Sequence, residues 1–356
     1  RSALVSYFRH EEEGGGYVAS VLLPGDAPPQ ILPLGGAAGV DAAVKLWRDL
    51  VSKDPRAGGP GEGEDAYRQA ARRLAELIWD PVAPLLGDAD RVLVVPDGTL
   101  HEVSLATLVP SGGGYLVDSD LSFHYLTAER DLVGAQESPS TASGLLAVGD
   151  PAYGTRFSPL PGSRLEVLDV AGRWAAPTTI LLGKDAQESA FKELAPSFGV
   201  LHVAAHAFFP LGEESDESPL RVAGVVLSGG SDASDPDDGI LTAEEVSLLD
   251  LRAVRWAVLS GCATGTGALE PGEGVLGLRR AFQLAGARTV IVSLWPIEDD
   301  ATRHWMRALY TARRAGASTV DAVRAAVRDS LQDQRRTGGT THPYFWGGFV
   351  SIGDWR

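Results

Sequence analysis

The chain has 356 residues, enough for about two domains of ordinary size. Hydrophobic residues make up 44% of the chain, which excludes a disordered segment. The formal net charge is −16, which argues against nucleic acid as a partner. A single cysteine excludes an internal disulfide and is typical of a reducing compartment, so we expect a soluble, cytoplasmic protein. The apolar runs are far shorter than the roughly 18 residues of a membrane span, so no membrane is expected.

The first part of the chain predicts two short strands followed by two amphipathic helices. Apolar residues at 4–8 and 17–23 lie on either side of a turn rich in glutamate and glycine, which is typical of adjacent strands. Helical spacing of apolar residues occurs at 41–51 and again at 65–86, where Pro81 and Pro84 end the second helix.

From residue 91 onwards the sequence changes to short, nearly continuous apolar runs separated by helical segments. The runs cover 91–98, 144–152, 178–183, 199–206, 255–262 and 288–295. The helical segments cover 163–175, 185–195, 242–250, 274–286 and 299–315. This pattern is typical of parallel strands that helices bury on both faces. We therefore predict an α/β fold with a mostly parallel sheet flanked by helices.

Functional residues of such a sheet collect at the carboxyl ends of its strands, where His206 and Cys262 are both expected. A free cysteine is ordinarily a small apolar core residue. A thiol at the open edge of a sheet becomes reactive, however, when a neighbour lowers its pKa from about 8.5. His206 is the better candidate for that neighbouring base, because His202 lies deeper in the same strand and is expected to be structural.

Several stretches of the sequence resemble the CHAT family, whose members are caspase-like proteases related to separases and caspases. In the second half they are VLHVAAH (200–206), AVLSGCATGTG (257–267), GEGVLGLRRAFQLAGARTVIVSLWPIEDDAT (272–302) and HPYFWGGFVSIG (342–353). In the first half they are YRQAARRLAELIWDPVAPLL (67–86), RVLVVPDGTLHEVSLATL (91–108) and LLAVGDPAYG (145–154). The histidine precedes the cysteine by 262 − 206 = 56 residues, close to the roughly 50 of caspases.

The resemblance implies a caspase-like three-layer sandwich, in which a pseudo-caspase-like amino-terminal subdomain (1–140) braces a catalytic subdomain (141–356). It implies a cysteine endopeptidase with Cys262 as nucleophile, His206 as base and the backbone amides of Cys262 and Ala207 as the oxyanion hole. Family members commonly have glycine at the position of Ala207 and often glutamate at that of Ala263. Alanine still donates its N–H, but its backbone has less freedom than that of glycine.

The resemblance to separases also implies cleavage after arginine or lysine. In those relatives an acidic residue after the Leu-Trp pair lines the pocket for a basic side chain, and Asp299 holds that position here in SLWPIED. A carboxylate binds arginine through two parallel hydrogen bonds. The alternative is that Asp299 only caps the helix that follows it. Trp295 is expected either to line the substrate pocket or to anchor the core.

The predicted partners are a protein substrate and an upstream regulatory or helical-repeat module, since the chain opens on Arg1 and not on methionine. We expect no cofactor and no metal, because His202 and His206 lack the glutamate of the H-E-x-x-H motif and a third nearby ligand. The competing hypothesis is a catalytically latent caspase-like scaffold that acts through protein–protein contacts in signalling, for instance in bacterial defence.

Overall fold

The structure, a computed structural model, describes most of the chain and defines sixteen strands. The described residues are 1–11, 14–57, 61–134, 142–155, 157–208, 220, 223–229, 237–261, 268–270 and 274–356. The strands among them are β1 (Ser2–His10), β2 (Gly16–Leu22), β3 (Gln30–Gly36), β4 (Arg91–Val95), β5 (Ser122–Tyr125), β6 (Leu145–Pro151), β7 (Thr178–Gly183), β8 (Val200–Ala204), β9 (Ala207–Phe208), β10 (Gly224–Val226), β11 (Ile240–Thr242), β12 (Trp256–Leu259), β13 (Ala268–Glu270), β14 (Gly274–Leu276), β15 (Thr289–Ser293) and β16 (Phe349–Gly353).

Helices pack against the sheet that most of these strands form. They are α1 (Ala37–Val51), α2 (Glu62–Ile78), α3 (Asp131–Gly134), α4 (Pro161–Ala171), α5 (Glu188–Leu194), α6 (Ala243–Ser247), α7 (Leu278–Leu284), α8 (Asp299–Arg314) and α9 (Thr319–Thr337). All five residues of β8 and of β15 are buried, so both faces of the sheet are covered at its centre. No helix in the described part of the chain has the length and apolar character needed to cross a membrane.

Eleven strands of the described chain form one mixed sheet, in the order β3-β2-β1-β4-β5-β16-β15-β12-β8-β6-β7. The six continuous apolar runs predicted as strands are β4, β6, β7, β8, β12 and β15, and each has a parallel neighbour. The predicted α/β fold with a mostly parallel sheet is therefore confirmed. A strand covered by helices on both faces has no side that faces solvent. Its sequence is therefore a continuous apolar run and not an alternation of apolar and polar residues.

Between β1 and β7 of this sheet the strand direction reverses once, at β16; β2 also pairs antiparallel with both β1 and β3 at the far edge. The strand β16 pairs antiparallel with β15 and parallel with β5. As a result β1, β4 and β5 run in the opposite direction to β15, β12, β8, β6 and β7. The carboxyl ends of these two groups of strands therefore lie at opposite edges of the sheet.

Residues from both halves of the chain contribute to one hydrophobic core. Residues up to 134 supply β1 to β5, and those from 142 onwards supply the other strands of the large sheet. Trp47 of α1 and Trp295, which follows β15, pack edge to face with their ring centres 5.8 Å apart. The predicted boundary between residues 140 and 141 adjoins the segment 135–141, outside the described residues. The division into two subdomains stays a prediction.

The helix predicted over 274–286 is wrong at its start. Residues 274–276 form β14, which pairs antiparallel with β13, and α7 begins only at Leu278. Glycines at 272, 274 and 277 lower the helix propensity of this stretch, and the pairing with β13 provides an alternative for its backbone. The strands β3, β5, β9, β10, β11, β13 and β16 and the helices α3 and α9 were not predicted.

Replacing Trp47 by alanine is expected to lower the free energy of unfolding by about 3–5 kcal/mol. The side chain is fully buried and its indole N–H donates to the Tyr67 hydroxyl at 3.1 Å, so the change leaves a cavity and removes a buried hydrogen bond. Chemical denaturation measures the effect. Leu46→Ala, at the neighbouring and half-exposed position of α1, is the control and should change stability by less than about 0.5 kcal/mol. Equal losses in the two variants would contradict this packing.

Candidate functional site

The candidate site lies at the carboxyl ends of β8 and β12, two parallel neighbours in the centre of the sheet. Val203 of β8 stands opposite Leu259 of β12. The pairing continues past the end of β12, because the Ser260 N–H donates to the Val203 carbonyl at 2.9 Å. His206 follows β8 by two residues and is half-buried.

The predicted nucleophile, Cys262, lies outside the described residues. The chain is held in place up to the residue before it, since the Ser293 hydroxyl donates to the Gly261 carbonyl at 2.7 Å. Ser293 is the last residue of β15, so β12 is fixed on both sides where it ends. The role of Cys262 as nucleophile stays a prediction.

A backbone carbonyl fixes the orientation and the tautomer of the His206 ring. The ring Nε2 lies 2.9 Å from the carbonyl oxygen of Ser158. Because a carbonyl oxygen only accepts hydrogen bonds, Nε2 carries the proton and donates, and in the neutral ring Nδ1 keeps a lone pair. The rings of Tyr153 and Phe157 pack beside the imidazole, with centres 5.0 and 5.8 Å away. The ring is therefore held with Nδ1 able to accept a proton.

The backbone around His206 is held as firmly as its ring. Its N–H donates to the Tyr153 hydroxyl at 3.2 Å, and its carbonyl accepts the Val226 N–H at 2.8 Å. Burial raises the pKa of Tyr153 to about 12, so this hydroxyl stays neutral in physiological conditions. The next residue, Ala207, stands opposite Val225 in the antiparallel pair of β9 and β10. Hydrogen-bonded and non-bonded residues alternate in such a pair, so the Ala207 N–H points away from β10.

A buried polar cluster lies beneath the site. His202, within β8, is fully buried, with its Nδ1 3.1 Å from the Tyr310 hydroxyl and its Nε2 3.0 Å from the Glu166 carboxylate. Burial raises the pKa of Tyr310, and the negative charge of Glu166 acts in the same direction. The predicted structural role of His202 agrees with this environment, because its ring is enclosed by partners and has no exposed surface.

Asp299 is exposed at the start of α8, next to the candidate site. The charge of His206 affects the pKa of Asp299, so the two side chains lie within electrostatic range of each other. Partial burial raises this pKa, as do the negative charges of Glu166, Asp300 and Glu298, while His206 acts in the opposite direction. Gly162 of α4 leaves room for the carboxylate, because a β-carbon there would collide with the Asp299 side chain.

The alternative role of Asp299, as the cap of the helix, finds no support in the geometry. The helix begins at Asp299 itself and its N-cap residue is Glu298, whose side chain makes no capping hydrogen bond. The helix is anchored to α4 by Arg303, whose Nε donates to the Asp169 carboxylate at 2.8 Å. Arg56, from the first half of the chain, lies 3.3 Å from the Glu298 carboxylate and so holds the same helix start.

Trp295 is buried and does not face the candidate site with any exposed surface. Only 2% of the residue is exposed, and its indole packs against Trp47 and lies over Gly348. Its Nε1–H donates to the Tyr344 carbonyl at 3.4 Å. These contacts support the core-anchor alternative for Trp295 over a place in the wall of a substrate pocket.

Three contributors to the site were missed in the sequence. One is the Ser158 carbonyl, which orients His206, and no sequence pattern marks a backbone group. Another is Glu166, a buried acid in α4 whose neighbours Leu165 and Leu168 are exposed, so the apolar spacing of this helix does not indicate a buried acid. The third, Tyr153, lies within the quoted stretch 145–154, but nothing in that stretch indicated a contact with His206.

The sequence profile of the CHAT domain matches residues 68–354, most of the chain. The chain belongs to the CHAT domain family. The resemblance noted in the sequence is thereby confirmed. Among curated relatives, the human tetratricopeptide repeat protein 28 is 32% identical over 136 residues, which are 38% of this CHAT chain and 5% of that protein. The CHAT chain therefore spans only a small part of the length of this relative.

Solved structures of two proteases share the fold of the CHAT chain. Separase from Saccharomyces cerevisiae, in a separase–securin complex, matches with a TM-score of 0.63 at 10% identity over 99% of this chain and 30% of that chain. The Arg-specific cysteine proteinase gingipain R matches with a TM-score of 0.51 at 8% identity over 89% of this chain and 74% of that chain. These likenesses confirm the predicted caspase-like α/β fold.

The described residues of the CHAT chain include no group of three or more histidine, cysteine, aspartate or glutamate side chains arranged to hold a metal ion. The histidines at 202 and 206 have separate partners, Glu166 and Ser158. The described site presents an imidazole with one ring nitrogen held by a carbonyl, a backbone amide that faces away from the neighbouring strand β10, and an exposed carboxylate.

Proposed function

We propose that the chain is a cysteine endopeptidase of the separase and caspase type, with His206 and Cys262 as the catalytic dyad. The observation that carries this proposal is the register of β8 and β12. Val203 stands opposite Leu259, and each candidate residue follows its strand partner by three positions, 206 − 203 and 262 − 259. Residues that follow two parallel neighbouring strands lie at the same edge of the sheet. We therefore expect the thiol and the imidazole to lie at that edge together.

The described groups around His206 suit the role of a general base. Its Nε2–H is held by the Ser158 carbonyl, which leaves Nδ1 to take the proton of the Cys262 thiol. The sulfur then attacks the peptide carbonyl carbon, and the tetrahedral intermediate collapses to an acyl-enzyme as the imidazolium returns its proton to the leaving amine. Water, deprotonated by the same imidazole, hydrolyses the thioester and regenerates the free thiol.

The negative charge on the tetrahedral intermediate needs hydrogen-bond donors held in position before the reaction. We assign this role to the backbone N–H groups of Ala207 and Cys262. Support for the first comes from the pairing of β9, because the Ala207 N–H points away from β10. Alanine at this position donates the same N–H that glycine would donate.

We assign Asp299 to the binding of a basic side chain on the amino-terminal side of the cleaved bond. The carboxylate is exposed, lies in electrostatic range of His206 and sits at the start of a helix that Arg303 and Arg56 both hold in place. Neighbouring acids add negative potential at this point, which favours a cationic substrate group. The name of the gingipain neighbour, an Arg-specific proteinase, agrees with this preference.

An affinity label tests the dyad directly. A tripeptide chloromethyl ketone ending in arginine is expected to add once to the protein, and peptide mapping should place the adduct on Cys262. The chain has a single cysteine, so intact mass alone counts the adducts. The variant His206→Ala should lose this labelling but still react with iodoacetamide at alkaline pH, where the thiol ionises without a base. An adduct elsewhere, or labelling that is unchanged in His206→Ala, would reject the dyad.

The second candidate function is a catalytically latent scaffold. What favours it is the similarity to a tetratricopeptide repeat protein of which this domain spans only a small part, because helical repeats commonly present surfaces for other proteins. Under the proposed function the same similarity supports an upstream helical-repeat module that regulates the peptidase. Failure of the affinity label to react with a folded protein, with iodoacetamide reacting normally, would favour the latent scaffold.

Cleavage after arginine is expected to lose efficiency in mildly acidic solution before cleavage after leucine does. Burial and neighbouring acids raise the pKa of Asp299, so its carboxylate gains a proton at a higher pH than an ordinary aspartate. As pH falls the negative charge is lost, the pairing with arginine weakens and KM rises. Steady-state kinetics of matched arginyl and leucyl peptides between pH 4 and 8 measure the difference, in which the protonation of His206 cancels. A constant ratio of the two efficiencies would contradict the assignment.

A further inference from the structure

A cavity of about 260 Å³ with several charged residues in its wall lies at the edge of the sheet opposite the candidate site. It lies at the carboxyl ends of β1, β4 and β5, which run in the opposite direction to β8 and β12. Its walls include Phe8, Asp97, His101, Glu129, Arg130 and Arg280. None of these residues belongs to the proposed peptidase site.

One buried group in the wall of this cavity and a second one behind it, near the first, lack hydrogen-bond partners that burial normally requires. His101, in the cavity wall, is only 6% exposed, and within the described part of the chain its Nδ1 has no partner. Arg279 is 3% exposed and close enough to affect His101, and its Nε also has no partner among the described residues. Burial, together with the charge of Arg279, lowers the pKa of His101 to about 3, so the ring is neutral.

Arg279 remains a cation in this buried position, although burial and the neighbouring Arg280 lower its pKa to about 10. No carboxylate of the described chain lies within salt-bridge distance of either arginine. A buried charge without a counter-charge is strongly unfavourable, and such groups are normally paired or bound to a ligand. The cluster of Arg279, Arg280 and Arg130 therefore has positive charge that the described protein does not neutralise.

The acidic residues of the cavity do not supply the missing counter-charge. The two carboxylate oxygens of Asp97 accept the backbone N–H groups of Arg9 and Gly98 at 2.9 and 2.8 Å. Glu129 has one buried oxygen, Oε1, without a partner among the described residues. A ligand that satisfies all of these groups must accept hydrogen bonds from arginine and also donate one to Glu129. A protonated phosphate has both properties, whereas an ionised carboxylate can only accept.

We propose that this cavity binds a phosphate group, with Arg130 and Arg280 as its charged ligands and His101 and Glu129 as hydrogen-bonding partners. Phe8 is half-exposed in the same wall and can cover the organic part of a phosphorylated small molecule. The site is linked to the segment that follows Cys262, because β13 and β14 contact the short helix Gly98–Glu102 that carries His101. The chain also runs directly from β14 into α7, which carries Arg279 and Arg280.

Isothermal titration of the whole chain with inorganic phosphate, at constant ionic strength in chloride buffer near pH 6.5, tests this proposal. We expect saturable binding at one site. Arg280→Gln should raise Kd by about tenfold or more, the effect of removing one charge-assisted contact. The matched control is Arg336→Gln, which removes a highly exposed arginine of α9 paired with Asp333 and should leave Kd unchanged.

Acetate, titrated in the same way, separates a phosphate site from a general carboxylate site and should bind at least tenfold more weakly. The proposal is overturned by the absence of saturable phosphate binding, by acetate binding as tightly as phosphate, or by wild-type affinity in Arg280→Gln. Circular dichroism establishes that each variant is folded. Should Arg280→Gln fail to fold, Arg130→Gln, a change at an exposed residue of the same wall, must show the loss of affinity instead.

Discussion

Under the proposed function, replacing Cys262 by alanine is expected to lower kcat/KM for an arginyl peptide on the order of 10³-fold or more, because the acyl-enzyme would form on its sulfur. The chain has no second cysteine that could substitute for it. The register of β8 and β12 predicts this loss of activity. His206 and Cys262 each follow, by three positions, one member of the same pair of opposite residues in these two strands. Initial rates with a fluorogenic peptide measure the loss.

His206→Ala is the companion to this change and should cause a loss of similar size. In the double variant the two losses should not add, because both residues serve the same step. Equal thermal midpoints for wild type and variants establish that folding is intact. Cleavage that persists in Cys262→Ala would reject the nucleophile, and additive losses would show that the two residues act in separate steps.

Asp299→Asn is expected to lower kcat/KM for an arginyl peptide by roughly 30- to 100-fold, the equivalent of about 2–3 kcal/mol for a charge-assisted hydrogen bond. The change keeps the size of the side chain and removes its charge. A leucyl peptide does not use the carboxylate, so its cleavage should change by less than about twofold. Measuring both peptides with one preparation separates a lost pocket charge from a general loss of activity.

The adjacent acid provides a matched control for this prediction. Asp300 follows Asp299 in the first turn of α8, and its side chain is 92% exposed and points only toward Arg303, 3.9 Å away. Asp300→Asn removes the same charge from the same helix end, yet it should leave the preference for arginine intact. If both variants lose the preference equally, the effect is one of general surface charge and Asp299 has no particular role.

The centre of the fold was predictable because its strands are covered on both faces. Continuous apolar runs such as 199–206 and 288–295 fit a strand in the buried centre of a sheet, and they form β8 and β15 in the expected parallel arrangement. The strand β16 was missed because its glycine-rich approach, Gly347 and Gly348, gives no periodic signal. Its position between β5 and β15 is decided by tertiary contacts that no local pattern encodes.

The candidate site was predictable only as far as side chains with their own chemistry are concerned. An imidazole at the end of a buried strand is conspicuous in a sequence, and His206 was found in this way. The group that fixes its tautomer is the carbonyl of Ser158, which any residue type would supply equally. Glu166 was missed for a different reason, since an acid in a helix indicates a solvent-exposed position unless its partner, here His202, is known.

The position of β16 in the sheet has a consequence for the folding of the protein during its synthesis on the ribosome. Residues 349–353 are synthesised after all the strands on either side of them, yet they join β5 to β15. In a nascent chain that ends before residue 349, the two parts of the sheet are therefore not joined by strand pairing. Each part has an exposed edge strand that can pair with other chains. The two halves of the sheet can join only after residue 353 has been synthesised, so a product terminated before residue 349 should be captured by chaperones and not persist as a folded fragment.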